Sequence, residues 1–276
     1  MTTTKNYSYV GLYDKNIFII EFENQFGKNP HYRKSMQSDL TQVLEFIGKD
    51  ITVTDVRWAA YMLATTLWET TTLRSEEITV KGKKKKIKSW VYTMSPVEEV
   101  GHGKGRKYHE PVKVKQLPTG SVRVTEHDGD QFEVNSSGRI SKLSKGAKLG
   151  AKDGGSESSV YTKDDGVEGY YFGRGYVQLT WWSNYAQASI ALGKNFDLLL
   201  KPDLVLEPDI AYKLMSYGMC TGKLFANGHS FSDYFGSLTD YKGARAMVNG
   251  IDHADDIAAI AKKFESILIN SKVTNK

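Results

Sequence analysis

One cysteine, Cys220, occurs in the 276 residues. The chain therefore forms no internal disulfide and offers no thiolate cluster to a metal, which suits synthesis in a reducing compartment. No apolar run reaches the roughly 18 residues that a membrane helix needs, so membrane insertion is not expected. The opening residues, Met1 to Tyr7, lack the apolar stretch of a secretory signal. The expectation is synthesis in the cytoplasm, with another agent carrying or releasing the protein if its substrate lies outside. His102, His109, His127, His229 and His253 show no zinc-site spacing. Asp128-Gly129-Asp130 is too short for a calcium loop and reads as a hairpin turn. Neither a Walker nor a Rossmann phosphate loop is present. No metal and no cofactor is expected.

Charge is moderate in total and uneven in place. The formal net charge is +5, but residues 81–115 hold eleven Lys/Arg against three Glu, a local +8. Residues 164–276 hold eleven Lys/Arg against thirteen Asp/Glu, a local −2. A basic stretch of this kind suits an anionic polymer such as cell wall, nucleic acid or lipid headgroups. The run Lys83 to Lys86 taken alone reads as a solvated lysine-rich loop. The stretch lacks the interleaved aromatics of a base-stacking platform, so no nucleic-acid partner is expected.

Apolar periodicity marks the helices. Met36, Leu40, Val43, Leu44 and Ile47 recur at helical spacing over 31–48. A second helix is expected after Thr54 as N-cap, with Val56, Ala59, Ala60, Leu63 and Leu67 as its stripe and Glu69 at its end. From about 78 to 168 Gly, Ser and Lys rise and only short alternations remain: Val112/Val114, Val122/Val124, Phe132/Val134. Turn signals at Pro118-Thr119-Gly120 and Asp128-Gly129-Asp130 separate them. This predicts a small antiparallel β element over about 110–143, then a flexible Gly/Ser loop from Gly146 to Ser159. Helices return over about 182–192, from Pro208 to before Gly222, and after Asp252 as cap. The last of these carries Ile257, Ile260, Ala261, Phe264, Ile267 and Leu268 as its buried stripe. Helices, a β excursion and helices again make an α+β plan. The expected organisation is a single domain over 1–276, with 108–168 as an inserted β-rich subdomain.

The most informative stretch is YYFGRGYVQLTWWSNY, from Tyr170 to Tyr185. Aromatic faces beside neutral hydrogen-bonding side chains suit a sugar polymer, which offers apolar ring faces and many hydroxyls. The string resembles the signature of glycoside hydrolase family 19, which holds chitinases and phage-type peptidoglycan hydrolases on a mostly helical lysozyme-like fold. ATTLWET, from Ala64 to Thr70, is similar to the family's helix that ends in a catalytic Glu, with Trp68 where the family usually has His. SPVEEVG (Ser95 to Gly101) and the following GHGKGRK (to Lys107) resemble the loop of the phage branch. ARAMVNGID, from Ala244 to Asp252, is similar to the segment before the family's last helix, and Lys201-Pro202-Asp203-Leu204 to its structural turn. The resemblance covers about 31–77, 95–107 and 170–270.

Breaking a glycosidic bond needs one carboxylic acid to protonate the leaving oxygen and a second carboxylate to activate water or attack the sugar. The resemblance makes Glu69 the acid. The negative end of its helix, with Leu67, Trp68 and Leu73 nearby, disfavours a bare charge there, as suits a proton donor. Glu99 is the expected base, with Glu98 next and Glu76 with Glu77 as a rival pair. A base acting across a water predicts a separation of about 6.5–9.5 Å and inversion; the resemblance also implies inversion. It further implies that Thr180 holds the attacking water, and that Gln178, Asn184 and Asn249 serve substrate binding. Tyr170 or Tyr171 would line the cleft, and Arg245 would orient or pack against a catalytic carboxylate. The phage-type loop, the missing disulfides and the basic patch favour peptidoglycan as substrate. A chitinase, or a non-catalytic wall-binding protein on a decayed scaffold, are the alternatives. Residues 108–168 are expected to decorate the fold or face the wall, with a carrier or immunity partner as the other option. The protein is expected to act as a monomer.

Overall fold

The computed structural model describes residues 13–80, 82–110, 112–143, 157–158 and 171–273. In chain order come helices α1 (Lys15–Phe26), α2 (Gln37–Lys49) and α3 (Val56–Glu69). Strands follow: β1 (Thr72–Val80), β2 (Lys83–Val91), β3 (Val97–Glu98), β4 (Lys113–Gln116), β5 (Val122–Thr125), β6 (Gln131–Val134), β7 (Ile140–Lys142), β8 (Glu157–Ser158) and β9 (Arg174–Gly175). Then come α4 (Trp182–Ala191), α5 (Asp197–Leu200), α6 (Pro208–Thr221), α7 (Phe231–Tyr234), α8 (Ala246–Asn249) and α9 (Ala254–Ser271). The class is α+β. The chain divides into two units, Met1–Val97 with Ala211–Lys276, and Glu98–Ile210. Among the described residues no helix is long and apolar enough to cross a membrane.

In the first unit α3 is the centre. Every residue from Ala59 to Leu67 is buried, so the helix is enclosed on all sides rather than along the expected stripe. Asp55, not Thr54, caps it. The Asp55 carboxylate accepts the Arg57 amide at 2.8 Å and the buried Arg57 guanidinium at 2.5 Å, a pairing no threonine hydroxyl can make. Arg57 also donates to the carbonyls of Phe235 and Gly236 and to Thr239 Oγ1, which satisfies it inside the fold. α9 packs along α3 and buries Ile257, Ala258, Ala261, Phe264, Ile267 and Leu268. Its N-cap is His253 at φ 55° rather than Asp252, and Ala258 is buried where Ile260 is only half-covered. α1 adds Phe18, Phe22 and Phe26 at i, i+4 and i+8, with the Phe22 and Phe26 rings 5.7 and 5.4 Å from that of Phe264. Each such ring contributes roughly 1.5–3 kcal/mol by leaving water. α2 buries Leu40, Val43, Leu44 and Ile47 as expected from their spacing, but it starts at Gln37, after a 3₁₀ turn over Lys34–Met36. The segment read as a lysine-rich loop is instead β2, paired antiparallel with β1 from Thr72↔Val91 to Val80↔Lys83. β-branched and aromatic residues at Thr72, Ile78, Thr79, Ile87, Trp90 and Val91 carry the pairing, and the lysines ride on it.

The second unit holds an antiparallel sheet in the order β7-β6-β5-β4-β8. Val114↔Val124, Val122↔Val134 and Val124↔Phe132 are cross-strand partners, and all the valines are buried. The expected alternation is therefore the inner face of this sheet. Both turn signals close as turns, Gly120 N on Leu117 O and Gly129 N on Glu126 O. The unit runs from 98 to 210, and within it the sheet packs on α4. The Phe132 ring lies 5.3 Å from that of Trp182, whose Nε1 donates to Glu126 at 2.7 Å. Most of the loop expected from Gly146 to Ser159, and Tyr170, lie outside the described residues.

Candidate functional site

Glu69 is the last residue of α3. A helix end leaves carbonyls without partners, and here the β-branched run supplies them. Thr70 Oγ1 donates to Thr66 O at 2.7 Å and Thr71 Oγ1 to Leu67 O at 3.0 Å. Thr70 also accepts from Met94 N, and its carbonyl accepts from Thr93 Oγ1, so this end is pinned on two sides. The side chain of Glu69 is 15 % exposed and accepts Arg245 Nη1 at 2.6 Å, across 176 residues of sequence. Arg245 is 2 % exposed and is held from behind by its Nε donating to Asp252 O at 2.9 Å. Arg245, expected from the sequence to orient or pack against a carboxylate, sets its buried guanidinium against that of Glu69, beside the apolar neighbours read there. Trp68 lies 4.8 Å, ring to ring, from His253. Tyr61 is fully buried two turns earlier on α3, within electrostatic reach of Arg245 and Glu69; burial drives its phenol well above the ordinary value. Asn249 ends α8 and is exposed.

The rival pair has other partners. Arg33 clamps Glu76 through Nε and Nη2, both at 2.7 Å, and Ser89 Oγ adds a third bond at 2.6 Å. The Arg33 bonds, then that of Ser89, hold the Glu76 carboxyl down to about 2. Glu77 pairs with Lys84 at 2.9 Å on the exposed ribbon.

In the second unit Glu99 is fixed at both oxygens. Tyr108 donates to Oε1 at 2.7 Å and Gly173 N to Oε2 at 3.1 Å, while Glu99 N donates to Gly173 O at 2.7 Å. Burial, then the bond to Glu99 and its charge, push the Tyr108 phenol up to about 12. The approach of Tyr108 requires glycine at 103, at φ 68°: a Cβ there would lie 2.6 Å from the Tyr108 ring and 3.1 Å from Phe172 Cβ. Glu98 is 39 % exposed, with His102 Nε2 at 3.3 Å and Arg174 Nε at 3.9 Å.

The string that reads as ligand-binding is largely turned on itself. Arg174 and Leu179 exchange backbone hydrogen bonds across a tight loop. Gln178, at φ 51°, donates from Nε2 to Gly175 O at 3.3 Å. Its Oε1 occupies the space of a residue-173 side chain, so a larger residue than Gly173 would have to displace it. Gln178 thus helps to shape the loop. Tyr171 does not line a cleft: it is 1 % exposed, and its hydroxyl donates to Leu199 O at 2.8 Å. The Arg174 guanidinium lies over the Phe172 ring at 3.7 Å and pairs with Asp203 at 3.0 Å. Asn184 Nδ2 donates to Thr180 O at 2.9 Å, which ties the half-buried Thr180 to the first turn of α4. Trp181, at φ 70° and 43 % exposed, meets Tyr108 edge to face at 5.7 Å. Tyr108, Trp181 and Trp182, with Glu110, Glu126 and Asp128, line a cleft of about 400 Å³.

The structure thus brings Glu69 to Arg245, Glu99 to Gly173, and Asn184 to Thr180. Sequence reasoning missed Tyr108, His102 and His253, which contact the candidate carboxylates or their neighbours. Only the glycines at 101, 103 and 105 hinted that the chain folds back on Glu99. No protein-family model, no curated protein and no solved structure matches this chain.

Proposed function

We propose that the protein is a peptidoglycan hydrolase of the family 19 type, cutting β-1,4 bonds between amino sugars by general acid/base catalysis with inversion. The observation that carries this reading is the Glu69–Arg245 pair at the pinned end of an enclosed helix. A general acid needs an oriented carboxyl and a neighbour that takes up the charge left when the proton departs. Arg245 engages Oε1 of the resting ion pair, which leaves Oε2 to take up a proton when substrate binds and hand it to the leaving oxygen. In this reading Glu99, set by Tyr108 and Gly173, takes the proton from water, with Glu98 as the alternative. Thr180 holds that water, and Asn184 and Asn249 meet sugar hydroxyls. The resemblance around Glu99 to the phage-type loop, and the lack of disulfides, favour peptidoglycan over chitin. Trp68, standing where the resembled family has His, favours the second reading, a non-catalytic wall-binding protein.

The test compares wild type with Glu69→Gln on purified cell walls and on colloidal chitin, with new reducing ends and fragment masses as readouts. The wild type is expected to cut walls, and Glu69→Gln to be at least ~100-fold slower with an unchanged circular dichroism spectrum. Full turnover in the variant removes Glu69 from the mechanism. Activity on chitin alone replaces the substrate, and wild-type binding without new ends selects the second reading.

A further inference from the structure

The β1–β2 ribbon sorts its side chains by register. Arg74↔Ser89, Glu76↔Ile87 and Ile78↔Lys85 share one face. That face is half-covered at Glu76, Ile78, Ile87 and Ser89, where Arg33 is clamped. The other face carries Leu73↔Trp90, Ser75↔Lys88, Glu77↔Lys86 and Thr79↔Lys84. There Lys84, Lys86, Lys88 and Trp90 form one exposed file along β2, with the indole 47 % exposed. At the usual strand rise the ammonium groups recur at a pitch of about 7 Å, and the file spans about 20 Å. Glu77 is the one acidic residue on this face, and its exposed pair with Lys84 contributes little. Three like charges in a row on one strand face repel, and an anionic chain laid along them relieves the repulsion.

The side-chain types narrow the occupant. Lysine is a strongly hydrated point charge, suited to repeated anionic groups rather than to one bidentate fork. The Ser75 and Thr79 hydroxyls border the file, and Trp90 offers a flat apolar surface at its root, as a sugar ring requires. The face has one exposed aromatic, where a nucleic-acid strand needs several for successive bases. It has no apolar stripe for a bilayer.

We infer that this face of the ribbon is a docking surface for an acidic glycan, with the anionic groups along Lys84, Lys86 and Lys88 and a sugar ring on Trp90. The docking surface stands whether or not Glu69 cuts glycans. The experiment uses the full chain and polygalacturonate, with neutral dextran, oligodeoxythymidine and phosphatidylglycerol vesicles as comparison probes, at low and raised salt. Wild type is expected to bind polygalacturonate, to lose affinity as salt rises, and to ignore dextran. The triple variant Lys84→Gln, Lys86→Gln, Lys88→Gln is expected to bind about tenfold more weakly. Trp90→Ala is expected to lose several-fold while keeping its salt dependence. Equal binding by wild type and the triple variant overturns the inference. So does preference for the oligonucleotide or the vesicles over polygalacturonate, or an unchanged affinity in Trp90→Ala. A protein that binds polygalacturonate through these lysines yet releases no reducing ends from walls refutes the hydrolase reading alone. One that cuts walls but ignores polygalacturonate refutes the docking surface alone.

Discussion

Removing the Glu69 carboxylate has a cost that the structure lets one grade. Arg245 is 2 % exposed, and its Nε donates to the neutral carbonyl of Asp252. Glu69→Ala strips the guanidinium of its counter-charge, and breaking one side of a buried pair costs about 3–5 kcal/mol. Glu69→Gln is milder, because the amide oxygen can still accept from Nη1. The loss is then the difference between a charge-assisted and a neutral hydrogen bond, about 1 kcal/mol. Arg245→Met falls between the two, since the carboxylate it abandons is 15 % exposed and water relieves part of the penalty. Urea unfolding measures all three. With a slope of about 1–3 kcal/mol per molar, Glu69→Ala moves the midpoint by about 1 M or more. The chain has two units, so the signal must come from the first: Trp58, Trp68 and Trp90 lie there, and Trp181 and Trp182 are replaced by Phe in the background used. Combining Glu69→Ala with Arg245→Met should recover about 1–3 kcal/mol relative to the sum of the single changes. If Glu69→Ala unfolds within about 0.5 kcal/mol of wild type, or the double mutant is simply additive, the ion pair does not organise this helix end. The acid assignment then loses its physical basis.

Tyr108 gives a pH readout. Its folded value of about 12 lies above the ordinary 10.0, so the protonated phenol stabilises the fold up to pH 10, and that stability is lost as pH rises through about 12. Ultraviolet titration should show one phenol moving back towards 10 in Glu99→Gln; an unmoved curve would show that Tyr108 does not hold Glu99. Gly173→Ala should cost about 1–3 kcal/mol, because the new Cβ meets Gln178 Cβ at 3.3 Å as well as its amide oxygen. Adding Gln178→Ala should restore part of the loss, and no restoration would rule out that collision as the cause.

Helices with strong apolar spacing were legible in the sequence, and their ends were not. The stripes of α2 and α9 and the valine alternation of β4 to β6 follow from burial, which acts on residue type at fixed intervals. Caps depend on which partner a side chain finds. Asp55 displaces Thr54 because Arg57 is folded back on it, and nothing in local spacing shows that. The ribbon was missed for a related reason. Lysine is a poor strand former, and what holds Lys83 to Lys88 in β2 is a partner strand with its own β-branched residues. α1 carries three phenylalanines at helical spacing, and Phe264, against which Phe22 and Phe26 pack, lies at the other end of the chain.

The same logic separates the parts of the candidate site. In the stretch from Tyr171 to Asn184, chemistry that reads as recognition turns out to be mostly scaffold. Tyr171 bonds a carbonyl in the core, Gln178 closes its own loop, and Arg174 is sandwiched between Phe172 and Asp203. A buried polar group must find a partner, so a string rich in such groups meets that demand first within the protein. What remains accessible is narrower: Thr180, held by Asn184, the exposed Trp181, and Glu99 on its Tyr108 tether. Substitutions at Tyr171, Gln178 or Arg174 should therefore lower stability before they change recognition. On the proposed function, the residues that distinguish one glycan from another are to be sought at Trp181 and Tyr108, in the aromatic cleft they line.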